Sequence, residues 1–192
     1  MSELEKHIIE TFGFSESEFE SIKDFFQTKE IKKGDYFLEE GQYVKQLGFV
    51  EKGILREFLF VNDHEVTKWF STKGYFAVDL SGFLFDQKSK VNYQAITDTR
   101  LLTLSKQNYN KISAKISRWD ELEKMFLAKC FIVLENRIIS HLALSAEGRY
   151  NQFFSFNPEL FNQVPLHHIA SMLGMTPETL SRIRQKQTKS TS

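Results

Sequence analysis

No proline occurs before Pro158, and after Ser105 no glycine occurs until Gly148. Those are the two residue types that most readily end a helix, so this stretch permits a long one. Residues 122–144 use that freedom, with Met125, Ile132 and Ile139 on one stripe and Leu127, Phe131, Leu134 and Ile138 on another. Two apolar faces need two partners. Either the helix is buried in a core, or one face lies on the rest of the chain and the other on a second copy. Recurrence of Met125, Ile132 and Ile139 at every seventh position favours the second arrangement. Lys129, Glu135, Arg137 and His141 interrupt the same stretch, which argues against a membrane span.

Upstream the periodicity differs. Leu4, Ile8, Ile9 and Phe12, then Phe19, Ile22, Phe25 and Phe26 after Ser15, predict two short amphipathic helices with Ser15 as an N-cap. From Lys29 short aromatic and β-branched runs follow, at residues 36–38, 46–50, 54–61, 65–70, 74–78, 91–97 and 101–104. Gly34, Gly41, Gly53, Asn62-Asp63, Gly74 and Gly82 punctuate them, a pattern that predicts an antiparallel sandwich, barrel or roll.

The segment 164–184 carries the most functional information. Pro165 suits a first helical turn, Ile169 and Leu173 share a face, and Gly174 suits a left-handed helix end. Thr176 caps a second helix with Pro177 at its first position, and Glu178 lies near the positive end of its dipole. Small Ala170 lets two steeply crossed helices approach, while Leu180 and Ile183 pack back. This is a helix-turn-helix constellation. Its second helix is left with Thr176, Glu178, Thr179, Ser181, Arg182, Arg184, Gln185 and Lys186 for DNA, several of them able to reach base edges. An αα-hairpin that merely packs is the alternative. His167 and His168 are adjacent, not four apart, so they do not form a helical metal pair and read as surface or packing residues.

Lys and Arg total 25 against 25 Asp and Glu, yet residues 1–30 carry a net −5 and residues 163–192 a net +3. A basic end suits phosphate. Cys130 is the only cysteine, which excludes an internal disulfide, a four-thiolate zinc site and a cysteine-held iron–sulfur cluster within one chain. The acidic amino terminus lacks a signal-peptide stretch, and a cytoplasmic protein is expected. No phosphate-binding glycine loop, nucleophile motif or metal-spaced cluster is found, so no enzyme, metal or cofactor is expected. Asp79 and Asp86 read as turn carboxylates, and His64 as a hairpin residue beside Asn62 and Asp63 rather than a haem ligand.

The order of parts resembles the Crp/Fnr family of bacterial transcription regulators over nearly the whole chain. Residues 31–41 and 47–53 resemble the glycine spacing of the cyclic-nucleotide-binding β-roll, and residues 164–184 the family's DNA-binding end. The resemblance implies an α+β fold: a β-roll sensor with N-terminal helices over residues 1–117, a long connecting and dimerisation helix over 118–145, and a helix-turn-helix unit over 146–192. It also implies a homodimer, double-stranded DNA as partner, a small-molecule effector in the roll, and no membrane.

Two departures shape the expectation. Nucleotide-binding members carry Gly-Glu followed by Arg-Ser or Arg-Thr. The matching region here, drawn on Gly74, Asp79, Ser89 and Lys90 as effector-pocket residues, has no Arg between Arg56 and Arg100. Cyclic AMP is therefore not expected to bind well, and the effector is either unidentified or absent. Phe76, Phe83 and Phe85 lie in or near this cassette and are candidates to pack it shut. At the DNA end, Glu178 and Arg182 match the family's acid and later Arg, while Pro177 stands where the first Arg is found. The sequence ends before the family's small β-wing, so backbone contacts are expected from Arg184, Lys186 and Lys189. The rival reading is a ligand-binding or protein-interaction module whose helix-turn-helix no longer binds DNA.

Overall fold

The computed structural model describes residues 2–190, without the side chains of residues 3, 4 and 188–190. The side chains of Leu4 of the first amphipathic pattern and Lys189 of the basic end thus lie outside what is described. The first two helices are α1 (Glu3–Phe12) and α2 (Glu16–Ile22). Ser2 and Ser15 open them with reciprocal capping boxes to Glu5 and Glu18. Arg118 grips Glu18 bidentately at 2.7 and 2.6 Å, which holds that carboxyl down at about pKa 2 and ties α2 to the start of the long helix.

The expected second helix extends through Phe26; the structure ends it at Ile22, adds one tight turn, and makes Phe26–Ile31 strand β1. Pairing decides this: β1 lies antiparallel to β8 (Thr99–Ser105) from Phe26↔Leu104 to Ile31↔Thr99, so its backbone is satisfied in the sheet while Phe26 stays in the core. The remaining strands are β2 (Tyr36–Leu38), β3 (Gln46–Lys52), β4 (Leu55–Val61), β5 (His64–Ser71), β6 (Phe76–Ala77) and β7 (Asn92–Ala95), with helix α3 (Leu80–Leu84) before β7. Two antiparallel sheets result, in the orders β1-β8-β3-β6 and β2-β7-β4-β5. Asn62 and Asp63, at φ 49° and 62°, turn β4 into β5 as a two-residue hairpin loop requires. His64 opens β5 and is exposed.

The first core fills the roll and its helical cover. Phe12 lies at 4.5 Å from Phe126, 5.8 Å from Phe49 and 5.8 Å from Trp119 between ring centroids. After the short α4 (Lys106–Tyr109), helix α5 (Trp119–Ala143) enters this core with Trp119, Leu122 and Phe126 and then leaves it. Beyond Phe126 both apolar stripes are largely open: Phe131 is 66%, Ile132 53%, Ile138 59% and Ile139 54% exposed. The helix is therefore not a core helix of its own chain, and the Phe131, Leu134 and Ile138 stripe does not lie on the β-part. Among the described residues of α5 past Phe126, Leu127 and Cys130 continue the contact with the roll's core.

Helices α6 (Ala146–Phe156), α7 (Leu160–Gln163), α8 (Leu166–Met172) and α9 (Pro177–Ser190) follow. They form a second core from Tyr150, Leu160, Phe161, Ile169, Ala170, Leu173, Leu180 and Ile183, completed by Ile54 and Phe70 of the roll. The C-terminal helices and the roll thus share one apolar cluster. Polar bonds reinforce it. Strand β5 is a sheet edge, and its Thr67 N–H donates to Ser171 Oγ of α8 at 2.9 Å. Arg137 of α5 donates to Lys68 O of β5 and, at 3.4 Å, to Met172 O of α8. Arg149 of α6 donates to Leu144 O (2.8 Å), Leu173 O (2.8 Å) and Gly174 O (3.3 Å).

His168 of α8 is half-buried at this junction. Desolvation first, then the positive fields of Arg56 and His167, lower its pKa to about 4, against a smaller opposing pull from Glu65. The folded pKa lies below the free imidazole value of 6.5, so the docked state prefers the neutral ring. Its contribution is present above the free value and lost as pH falls toward the folded value.

Two outcomes are expected. Phe126→Ala removes the side chain that joins α5 to Phe12 and Phe76, and should cost about 3–5 kcal/mol in denaturant unfolding. Acidification from about pH 7 to about pH 5 should lower the protection factor of the Thr67 amide, its exchange rate taken relative to an unprotected amide at the same pH, by loosening α8 from β5, and His168→Gln should remove that dependence.

Candidate functional site

The pocket cassette begins with Asp79, the N-cap of α3. One of its oxygens accepts from Ser81 Oγ at 2.8 Å and Gly82 N at 3.2 Å; the other accepts from Ser89 Oγ and Lys90 N, each at 3.2 Å. Burial alone raises a carboxyl pKa, but these four bonds outweigh it and hold Asp79 below its ordinary value. A helix-end amide, a hydroxyl and a loop amide are a donor set suited to an anion. Here the anion is the chain's own carboxylate. Gly82 lets α3 sit this close, since a Cβ there would stand 2.5 Å from Val44 Cγ2.

Of the four expected pocket residues, the structure brings Asp79, Ser89 and the Lys90 backbone together, while the Lys90 side chain faces solvent. Gly74 lies elsewhere, in the β5–β6 turn, where it donates to Val50 O at 2.9 Å beside the His7 ring. Phe83 is fully buried and Phe76 packs on Phe126 at 5.0 Å, so both fill the roll; Phe85 is 71% exposed and does not. Asp86 is an exposed turn residue at φ 53°. Among the described residues, no three His, Cys, Asp or Glu converge on a metal-sized site.

At the C-terminal end the local reading translates into geometry directly. Helix α8 gives way at Gly174, φ 63°, and Met175 N closes the turn on Ala170 O at 3.0 Å. Thr176 Oγ1 then accepts from Thr179 N at 3.2 Å, and Pro177 opens α9. Leu180 and Ala170 are completely buried between the two helices. Thr176, Glu178, Ser181, Arg182, Gln185 and Lys186 are exposed, with Thr179 half-buried. Backbone N–H at the helix start, with Thr176, holds the Glu178 carboxyl below its ordinary value. Arg182 leans on Thr179 Oγ1 at 3.3 Å. Two of the expected cations are engaged within the chain: Lys186 pairs with Glu147 of α6 at 3.1 Å, and Arg184 lies over the Phe161 ring at 5.8 Å.

Met125, Ile132 and Ile139 share one open face of α5, continued by Leu142 at 83% exposure. Arg137 and Ser171, which tie β5 to α5 and α8, Arg149, which ties α6 to the turn after α8, and Arg56, buried against Thr67 and Glu65 within the roll, were not singled out from sequence as site residues. Their one legible signal is an Arg inside an apolar run, at Arg56 and at Arg137.

Residues 28–115 match the family described as Cyclic nucleotide-binding domain. No curated protein sequence matches the chain. Among solved structures, FixK2 from Bradyrhizobium japonicum is 16% identical with a TM-score of 0.72, over 86% of this chain and 85% of that one. The Thermus thermophilus Catabolite Activator Protein is 21% identical with a TM-score of 0.56, over 93% of this chain and 85% of that one. The cAMP-bound PfPKA-R structure is 22% identical with a TM-score of 0.52 and covers 57% of this chain, which spans only 40% of its length. At these identities the likeness is one of fold. No helix among the described residues is long and apolar enough to cross a membrane. The chain contains an antiparallel β-roll of the cyclic-nucleotide-binding type followed by a long helix, and its structural neighbours include a protein from Eubacterium rectale described as a transcriptional regulator of the Crp/Fnr family, 18% identical with a TM-score of 0.67.

Proposed function

We propose that the protein is a homodimeric, sequence-specific DNA-binding transcription regulator of the Crp/Fnr type, acting in the cytoplasm without enzymatic activity. The observation that carries this reading is the outer face of α9. It presents Thr176, Glu178, Ser181, Arg182 and Gln185 to solvent while Leu180 and Ile183 anchor the helix behind it. In this reading α8 and α9 form a helix-turn-helix, and α9 enters the major groove. Glu178 accepts from a cytosine amino group and Arg182 donates to a guanine edge. The exposed apolar face of α5 supports the dimer, because two parallel copies bury it and set two recognition helices side by side. Cyclic AMP is not the effector in this reading. Its phosphate meets no Arg fork, and Asp79 already holds the amide and hydroxyl donors.

One observation favours the rival docking module. Lys186 is paired with Glu147 and Arg184 is turned onto Phe161, so phosphate contacts must be made in exchange for these. Arg182→Ala separates the readings. On a selected operator it should lower affinity by about 1–3 kcal/mol and relax one base position per half-site, while random duplex is held as before. Lys186→Ala should weaken every duplex alike. Equal losses on specific and random DNA for Arg182→Ala contradict the assignment. Ile132→Glu places a charge in the open face of α5 and should leave the chain monomeric in sedimentation at concentrations where the parent is dimeric.

A further inference from the structure

A cleft of about 230 Å³ opens where the roll, α5 and the C-terminal helices meet. Its walls are largely apolar and aromatic, with Trp69 and Tyr75 from the roll, Val133 from α5, and Phe153 and Phe156 from α6. Its basic groups are Arg137, His141 and Arg149, and among the described residues no Asp or Glu lines it. The Arg137 guanidinium lies over the Trp69 ring at 5.5 Å. Burial lowers its pKa, and Glu57, the carboxylate that acts on it, is engaged by Lys68 at 2.5 Å. Arg137 bonds backbone carbonyls through Nη1 and Nη2 and Arg149 through Nε, Nη1 and Nη2, so neither guanidinium has all five of its N–H donors engaged.

We infer that this cleft is a binding site for a small, flat, apolar carboxylate, and that such a ligand fixes the C-terminal helices on the roll. Aromatic walls supply the apolar contact and ring stacking. The guanidinium groups match a carboxylate fork, and the absence of an acid in the lining selects a monoanion over a neutral or cationic molecule. Asn136, Ser140, Gln152 and Asn157 complete the lining with neutral polar groups. The position gives the ligand leverage. It touches β5, α5 and α6 at once, and Arg137 and Arg149 are the same residues that hold Met172, Leu173 and Gly174. A bound anion therefore favours the docked arrangement by its differential affinity for it. The Asp79 cradle is already occupied by the chain itself, so this site answers where an effector of the proposed regulator acts. Ligand binding itself stands independently of that reading.

The test uses the full chain and sodium 2-naphthoate as probe, followed by calorimetry and by quenching of Trp69 fluorescence in a Trp119→Phe background. One saturable site per chain is expected, with the neutral 2-naphthamide bound at least about tenfold more weakly. Val133→Trp fills the cleft from a half-open position and should abolish binding while circular dichroism and melting stay as in the parent. Bound naphthoate should slow amide exchange at Thr67 several-fold. Equal affinity for acid and amide, absence of saturation, full binding by a folded Val133→Trp, or unchanged exchange at Thr67 overturns the proposal. Failure of the untreated protein to bind any duplex would count against the regulator reading and not against this site.

Discussion

An edge strand cannot be left with bare N–H and C=O groups beside a buried surface, and the arrangement of this molecule follows from how β5 is covered. Ser171 accepts the Thr67 N–H, Arg137 donates to Lys68 O, and Ile54 and Phe70 pass from the roll into the second core. The C-terminal helices are therefore not a separate bead on a linker. Their pose is part of the roll's own satisfaction. A change that loosens β5 frees α8, and α9 moves with α8 because Ala170 and Leu180 are packed with no room between them.

That coupling gives the roll a way to act without a nucleotide in its cassette. Asp79 makes the bonds an incoming anion would need, and Phe83 and Phe76 fill the space behind. In the proposed regulator, control enters through the junction. His168 and Arg137 are groups there that bear on the contact between β5 and α8, and Arg149 holds the end of α8 against α6. Coupling of this kind is typically worth about 1–3 kcal/mol, enough to change occupancy of a second site several-fold.

Much of the fold was legible because its signals are local. Gly174 needs a left-handed backbone, Thr176 and Pro177 need a helix start, and Asn62-Asp63 needs a tight hairpin, so each announces itself in a few residues. Strand β1 was hidden, since Phe25 and Phe26 continue a helical spacing and only pairing with β8 overrides it. The long helix was found, but its faces were assigned by the assumption that two stripes need two partners of different kinds; in one chain both are open. The cassette was half legible. Asp79 and Ser89 meet, but Gly74 belongs to the contact with His7, a neighbour 67 residues away that no spacing rule reveals. The junction was the least legible part, because Arg137 and Arg149 act on backbone carbonyls, which carry no sequence signature.

The most direct measurement is selection of binding sites from a random duplex pool by the purified protein, at two salt concentrations, with sequencing of the survivors. Enrichment of an inverted repeat whose half-sites lie about one helical turn apart is the result expected of two α9 helices set side by side by α5. Raising the salt should weaken capture while leaving the enriched sequence the same. A pool that stays random at both salts would contradict DNA recognition by α9 and leave the C-terminal helices as a docking surface.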